Sequence, residues 1–314
     1  MIDIDDIEAA RARIAPHVRR TPVTPATQLQ APLPVDTEVL LKLELLQVTG
    51  SFKARGAMNR FLGAPPEERP DRLVTASGGN HGLAVARTAS VAGVPATIFV
   101  PGTVSPAKVT KMEKWGAEVR IVGEEWSESQ RGALAYAEET GATYFHPFAD
   151  SLVMAGQGTL GLEMAEDLPD MDAILIAIGG GGLIAGVGTA LRSALPGVRI
   201  IGVEPEGAPT LKASLDADRV VELDAVTTGV ATMACKRTED AVFRTVRGVA
   251  DEIVLISDEE MAEASRWLWF EMGIAADLSG AASIAALRRY PDRLAGYKRI
   301  CALVCGAGAE GTGG

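Results

Sequence analysis

The chain has 314 residues and 47% hydrophobic content, enough for one large or two modest domains with well-filled cores. Its formal net charge of −11 argues against nucleic acid or an anionic membrane as the main partner, while small-anion binding is left to local backbone dipoles. Three cysteines, Cys235, Cys301 and Cys305, follow no disulfide or zinc spacing, and no apolar run approaches the ~20 residues that span a bilayer, so a soluble, unprocessed protein of the reducing cytoplasm is expected.

Ile2 to Val18 reads as an acidic amphipathic stretch. Val39 to Leu45 reads as a strand, and Ser51 is placed to cap the helix that follows. Leu73 to Ala76 is a strand that leads through Ser77-Gly78-Gly79-Asn80 into a helix ending near Gly93. A strand at Ala96 to Val100 precedes Ser105-Pro106, an N-cap with a first-turn proline. Glu118 to Val122 is the next strand, and Ser127 with Gln130 forms a capping box for a helix stopped by Gly141. The rhythm resumes with a strand from Asp172 to Ile178, the run Gly179 to Gly182, a helix to about Leu195 and a strand from Arg199 to Val203. Ser257 and Glu260 make another capping box, Gly273 lies past that helix, and Arg299 to Val304 is a last buried strand. Apolar strands without polar alternation imply parallel α/β layers covered on both faces. The Pro-rich segment Gly63 to Pro70 and the crossing at Pro147 to Ser151 mark linkers. They divide the chain into a larger domain, residues 1–64 and 150–314, and an inserted smaller one, residues 65–149.

Three segments carry chemistry. Gly180-x-Gly182-x-x-Ala185 follows a strand and opens a helix, and Glu204 ends the next strand, a pattern shared with dinucleotide-binding turns. The same glycines also suit a phosphate ester, because backbone N–H groups at a helix N-terminus converge on it once Cβ atoms are absent. Lys53 lies in Ser51-Phe52-Lys53-Ala54-Arg55-Gly56-Ala57, at the start of a helix and between apolar and small neighbours. A lysine in an apolar pocket loses its charge more readily, which favours imine chemistry, and a nicotinamide dehydrogenase has no need of such a residue. Ser77-Gly78-Gly79-Asn80-His81 lies between a strand and a helix, where its N–H groups and hydroxyl can hold a substrate carboxylate.

Together SFKARGA, SGGNHG, GGGGL and VCGAG, in that order from Arg20-Thr21-Pro22 to about Gly308, resemble fold-type-II pyridoxal phosphate (PLP) enzymes of the threonine dehydratase, serine dehydratase and serine racemase family. The resemblance implies two open, mostly parallel sheets with helices on both faces, as in tryptophan synthase β. It makes Lys53 the Schiff-base lysine and the base at Cα, and places Phe52 against the cofactor ring. It also puts Asn80 at the ring hydroxyl, Gly179, Gly180, Gly181 and Gly182 at the phosphate, and a backbone group of Gly229 facing the cofactor. Cys305 falls beside the pyridine nitrogen, where a neutral thiol mutes the electron sink and favours prompt loss of a β-substituent. Ser77, Gly78, Gly79, Asn80 and His81 would hold the substrate carboxylate.

Departures from the family pattern qualify these expectations. Racemases of the family carry a second serine where this chain has Gly78. Relatives that make cysteine usually have threonine at the position of His81. Glu204 and the backbone of Ala208 match divalent-cation ligands (Mg or Ca), but Thr210 replaces the expected acid, and Asp277 stands where a glutamate is usual. The regulatory domain of biosynthetic threonine dehydratases is expected to be missing. The reading reached is PLP-dependent dehydration and deamination of a β-hydroxy amino acid, threonine or serine by default, to a 2-oxo acid and ammonia. A homodimer is expected from the family. The rivals are an enzyme for a bulkier substrate such as 3-hydroxyaspartate or phenylserine, a serine racemase or β-replacement enzyme, an NAD-dependent dehydrogenase, and a non-catalytic amino-acid sensor.

Overall fold

Continuous apolar segments fold into two sheets in the computed structural model, which describes residues 1–313. The strands are β1 (Val23–Pro25), β2 (Glu38–Lys42), β3 (Leu73–Ala76), β4 (Ala96–Val100) and β5 (Glu118–Ile121), followed by β6 (Thr143–Tyr144), β7 (Ala173–Ala177), β8 (Arg199–Pro205), β9 (Glu252–Ile256) and β10 (Arg299–Leu303). The six-stranded sheet has the order β1-β2-β10-β7-β8-β9, and the four-stranded sheet β5-β4-β3-β6. Only β1 pairs antiparallel, with β2; every other described pairing is parallel. All residues of β3, β4 and β7 are buried, as strands covered by helices on both faces must be.

One large apolar cluster surrounds β2, β7, β8 and β10, and two smaller ones lie on either side of the four-stranded sheet. The helix Lys53–Leu62 works between them, since Ala57 and Phe61 join a cluster of the four-stranded sheet while Gly56 meets the helix Ser151–Asp167. A Cβ built on Gly156 would lie 2.7 Å from the Gly56 Cα, so the two backbones cross in near contact. Side chains at either position would force the helices apart.

Several local expectations are corrected. Phe52, not Ser51, occupies the N-cap of the helix Lys53–Leu62, and the Ser51 hydroxyl is buried without a partner. The helix Trp126–Thr140 starts one residue before Ser127, and Glu128 rather than Gln130 reaches back, accepting from the Glu125 N–H at 3.1 Å. Ser105 does hold the N-cap before Pro106, without a side-chain bond to the helix. The box of Ser257 and Glu260 is present, and Gly273 ends that helix in the left-handed region. Strands β1, β6 and β9 and the helix Ser151–Asp167 were not expected from the sequence.

Candidate active site

The parallel strands point their C-terminal ends at one region, the general location of ligand sites in open α/β sheets. Turns leave β3 at Ser77, β7 at Gly179 and β10 at Cys305. The N-terminus of the helix Lys53–Leu62 is stitched to the last of these: Ser51 bridges Gly306, and the Phe52 N–H donates to the Cys305 carbonyl at 3.3 Å.

Lys53 Nζ donates to the Pro147 carbonyl at 2.7 Å and sits 5.1 Å from the centroid of the Phe52 ring. Burial lowers its pKa from 10.5 to about 8, which makes a neutral amine accessible near physiological pH. Its charge also bears on two buried histidines, His81 and His146. Burial first and Lys53 second pull these down to about 3 and about 4 respectively. Both rings are therefore neutral. His81 Nε2 lies 3.0 Å from the Phe145 carbonyl, which fixes the proton there, and Nδ1 has no partner. His146 Nδ1 accepts from the Phe148 and Ala149 N–H groups at 3.2 and 2.9 Å.

The glycine turn after β7 leads into the helix Gly182–Ala194, whose N-cap Gly181 has φ +94° and provides no side-chain cap. First-turn N–H groups thus stay open to an anion. Phe148, next to the carbonyl that holds Lys53, presses its ring on Gly180, and its own carbonyl would lie 2.6 Å from a Cβ at Gly182. Thr238 Oγ1 donates to the Gly180 carbonyl at 3.0 Å and pins the turn from the other side. The crossing segment Phe145–Ala149 thereby touches the lysine, the cradle and His81 at once.

The loop after β3 is held by Trp126 Nε1, which donates to the Ala76 carbonyl at 2.9 Å, and by Ser77 Oγ, which accepts from the Gly79 N–H at 3.3 Å. The helix Asn80–Ala92 then begins with Gly79 as an N-cap that has no side chain to satisfy its first turn. A Cβ at Gly78 would lie 2.8 Å from Val104 Cγ2, and one at Gly79 would lie 3.7 Å from Thr232 Cγ2. The Thr232 carbonyl would lie 2.8 Å from a Cβ on Gly179, so one loop backs both the β3 turn and the glycine turn. That loop is anchored at Asp258, which accepts from Thr228 Oγ1 and from the Gly229 N–H, each at 2.6 Å. The Gly229 N–H is thus committed to Asp258. The Cys305 thiol is buried, lies 3.5 Å from the Ser279 carbonyl, and is pushed up by burial and by the Asp277 charge, so it stays protonated. Asn80 Nδ2 donates to Asp277 Oδ2 at 2.9 Å.

The sequence is matched over residues 14–306 by the family described as pyridoxal-phosphate dependent enzyme. The chain belongs to this family. The L-threonine ammonia-lyase of Thermotoga maritima is 40% identical over 287 residues, 91% of this chain and 71% of the relative. That of Geobacter sulfurreducens is 41% identical over 299 residues, 95% and 73% of the two chains. Among solved structures, a threonine deaminase from T.th. superposes with TM-score 0.90 at 36% identity over 98% of each chain. Maize serine racemase does so with TM-score 0.91 at 32% identity, over 97% of this chain and 93% of its own. The protein is a PLP-dependent enzyme with the fold of this family, and the dehydrogenase reading of Gly180, Gly182, Ala185 and Glu204 falls away.

The residues present fit pyridoxal phosphate: a buried amine of lowered pKa, an uncapped glycine-rich helix start and a buried neutral thiol converge on one region. They do not fit the divalent cation expected at Glu204 and Ala208. Both Glu204 oxygens accept backbone N–H groups, from Leu211 at 2.8 Å and Lys212 at 2.9 Å, and burial raises its pKa to about 7. The Ala208 carbonyl accepts from the Thr210 N–H at 2.9 Å, while the Thr210 hydroxyl turns to the Cys235 carbonyl. Among the described residues no group of three or more His, Cys, Asp or Glu side chains could hold a metal ion. The sequence reading overlooked Pro147, Phe148, Thr238 and Asp258. The proline-containing crossing between the two sheets was the available signal for the first two; the others act through long-range contacts that carry no local pattern.

Proposed function

We propose that this chain is an ammonia-lyase that dehydrates and deaminates L-threonine and L-serine to 2-oxo acids. The observation that carries the reading is Lys53: a buried amine of pKa about 8, bonded to the residue next to the one that packs on the glycine turn. The names of the relatives, L-threonine ammonia-lyase and L-threonine dehydratase, support the choice of substrate. When bound, pyridoxal phosphate supplies an electron-withdrawing ring conjugated to the substrate nitrogen, which acidifies the Cα–H bond. Phe52 would line the ring, N–H groups of Gly179 to Gly182 would hold the phosphate, and a backbone group of Gly229 would face the cofactor. Asn80 would donate to the ring hydroxyl, and the neutral Cys305 thiol would serve the pyridine nitrogen. The loop Ser77 to His81 would hold the substrate carboxylate at the uncapped helix start, and the neutral Lys53 amine would take the Cα proton. Lys53 would pass that proton to the departing β-hydroxyl so that water leaves Cβ, and a second water would hydrolyse the released enamine, through its imine, to the 2-oxo acid and ammonia.

Gly78 tilts the outcome toward elimination, because the racemase serine is absent and a side chain there would press on Val104. The proposal includes a cytoplasmic homodimer in which residues 65–149 form the smaller domain, with a free amino acid rather than nucleic acid or membrane as partner. No helix among the described residues is long and apolar enough to cross a membrane.

Holoenzyme assayed with L-threonine, L-serine, 3-hydroxyaspartate and phenylserine, scored for 2-oxo acid and ammonia, tests the reading. Turnover is expected to be highest with L-threonine or L-serine, with no D-serine accumulating. Turnover confined to the bulkier substrates, or racemisation outpacing ammonia release, would overturn it. Cofactor capture should follow the Lys53 charge. The apoenzyme is expected to take up the cofactor faster as pH rises through about 8, with a plateau above, as stopped-flow absorbance would show. Because an unfolded lysine keeps its proton up to about 10.5, the unfolded chain binds more protons than the folded one between these values, and apoenzyme stability rises across the same window.

A further inference from the structure

The carboxylate of Asp277 meets three donors. Oδ1 accepts from Ser279 Oγ at 2.7 Å and from the Gly280 N–H at 2.6 Å, which caps the helix Leu278–Arg289. Oδ2 accepts from Asn80 Nδ2 at 2.9 Å. Asp277 is nearly buried, at 7% exposure, and its backbone N–H donates to the Gly306 carbonyl at 3.0 Å, next to Cys305. The bond to Asn80 therefore ties the loop that leaves the four-stranded sheet to the helix that packs on the six-stranded one.

Asp277 Oδ2 is the acceptor, and the Asn80 atom that faces it is the amide nitrogen. That settles which way the carboxamide points. One N–H is spent on Asp277, the second remains free, and the carbonyl oxygen is turned away. Without the acid, the amide could turn over and present an acceptor where a donor is needed.

We infer that Asp277 is the positioning residue of the cofactor site: it orients the Asn80 carboxamide so that its free N–H donates to the phenolic oxygen of the cofactor. This rests on the PLP reading of the site and extends it to a residue that does not itself need to touch the cofactor. The negative charge also polarises the Asn80 N–H bonds, which strengthens the donation.

The test compares holoenzyme of the wild type, Asp277→Asn, Asn80→Ala and the double variant. Asparagine caps a helix as well as aspartate does, so Asp277→Asn keeps the helix start and should melt close to the wild type. It removes the acceptor-only group that fixes Asn80. The readout is the visible spectrum: loss of a donor to the phenolic oxygen shifts absorbance from the yellow band to the near-ultraviolet one. Asp277→Asn and Asn80→Ala should each produce this shift and lower kcat by about tenfold, the value of one charge-assisted hydrogen bond. The double variant should lose no more than either single one, because both changes remove the same interaction. An Asp277→Asn spectrum and kcat equal to wild type, or losses that add in full, would overturn the inference. A wild type that is not yellow would instead sink the cofactor reading itself, so the two failures are distinguishable.

Discussion

Lys53→Ala abolishes turnover. Removing the group that both bonds the cofactor and moves the Cα proton is expected to lower kcat by about four orders of magnitude or more. The variant should still fold, because the lost ammonium was carried at a cost: burial lowers its pKa to about 8, so the folded protein at neutral pH holds a charge it would rather release. Activity on L-threonine and a melting curve of the same preparation check both halves. A Lys53→Ala enzyme within about a hundredfold of wild type would mean that another base serves Cα.

Arg55→Leu costs the fold far more than its neighbour costs it. Arg55 is entirely buried and sits two positions beyond Lys53. Its guanidinium donates to Glu44 at 2.6 and 3.0 Å, to Glu163 at 2.7 Å and to Thr159 at 3.2 Å. Glu44 in turn accepts from Thr21 Oγ1 at 2.8 Å, and Glu163 from Lys42 Nζ at 3.2 Å. Leucine would leave Glu44 buried without its cation, and breaking a buried pair in this way costs about 3–5 kcal/mol. For a chain of this size the melting temperature should fall by roughly 5–8 °C. Arg55→Lys should recover only part of the loss, since an ammonium cannot span two carboxylates and a hydroxyl with a planar fork. Calorimetry on the apo forms checks the order wild type, Arg55→Lys, Arg55→Leu. A fall below about 2 °C for Arg55→Leu would show that the network relaxes around the change.

What the sequence made legible follows from how local each signal is. β7 and the glycine turn after it are readable because a fully apolar run and a Cβ-free turn are both contiguous in the chain. The box of Ser257 and Glu260 is readable for the same reason. The helix Ser151–Asp167 was hidden because it is buried nearly all round and so lacks an amphipathic period. Its glycines, which look like breakers, let it touch its neighbours: Gly156 meets Gly56, and Gly158 would place a Cβ 3.1 Å from the Gly186 carbonyl. β6 is two residues long and exists because β3 offers it an edge.

The site divides in the same way. Lys53, the glycine turn and the loop Ser77 to His81 are contiguous motifs, and the structure sets them around one crossing segment. The partner of Lys53 is a backbone carbonyl, which leaves no mark in a sequence. The pairing of Asn80 with Asp277 depends on how the two sheets dock. Glu204 differs from these: the resemblance offered it as a cation ligand, and in the fold both its oxygens accept N–H groups at the start of the helix Thr210–Asp216.

The most direct single measurement is borohydride reduction of the yellow holoenzyme, followed by proteolysis and mass spectrometry, with Lys53→Ala as control. A pyridoxyl adduct on the peptide that carries Lys53, absent from the variant, is the predicted result. An adduct on another lysine, or a wild type that takes up no cofactor and shows no adduct, would contradict it.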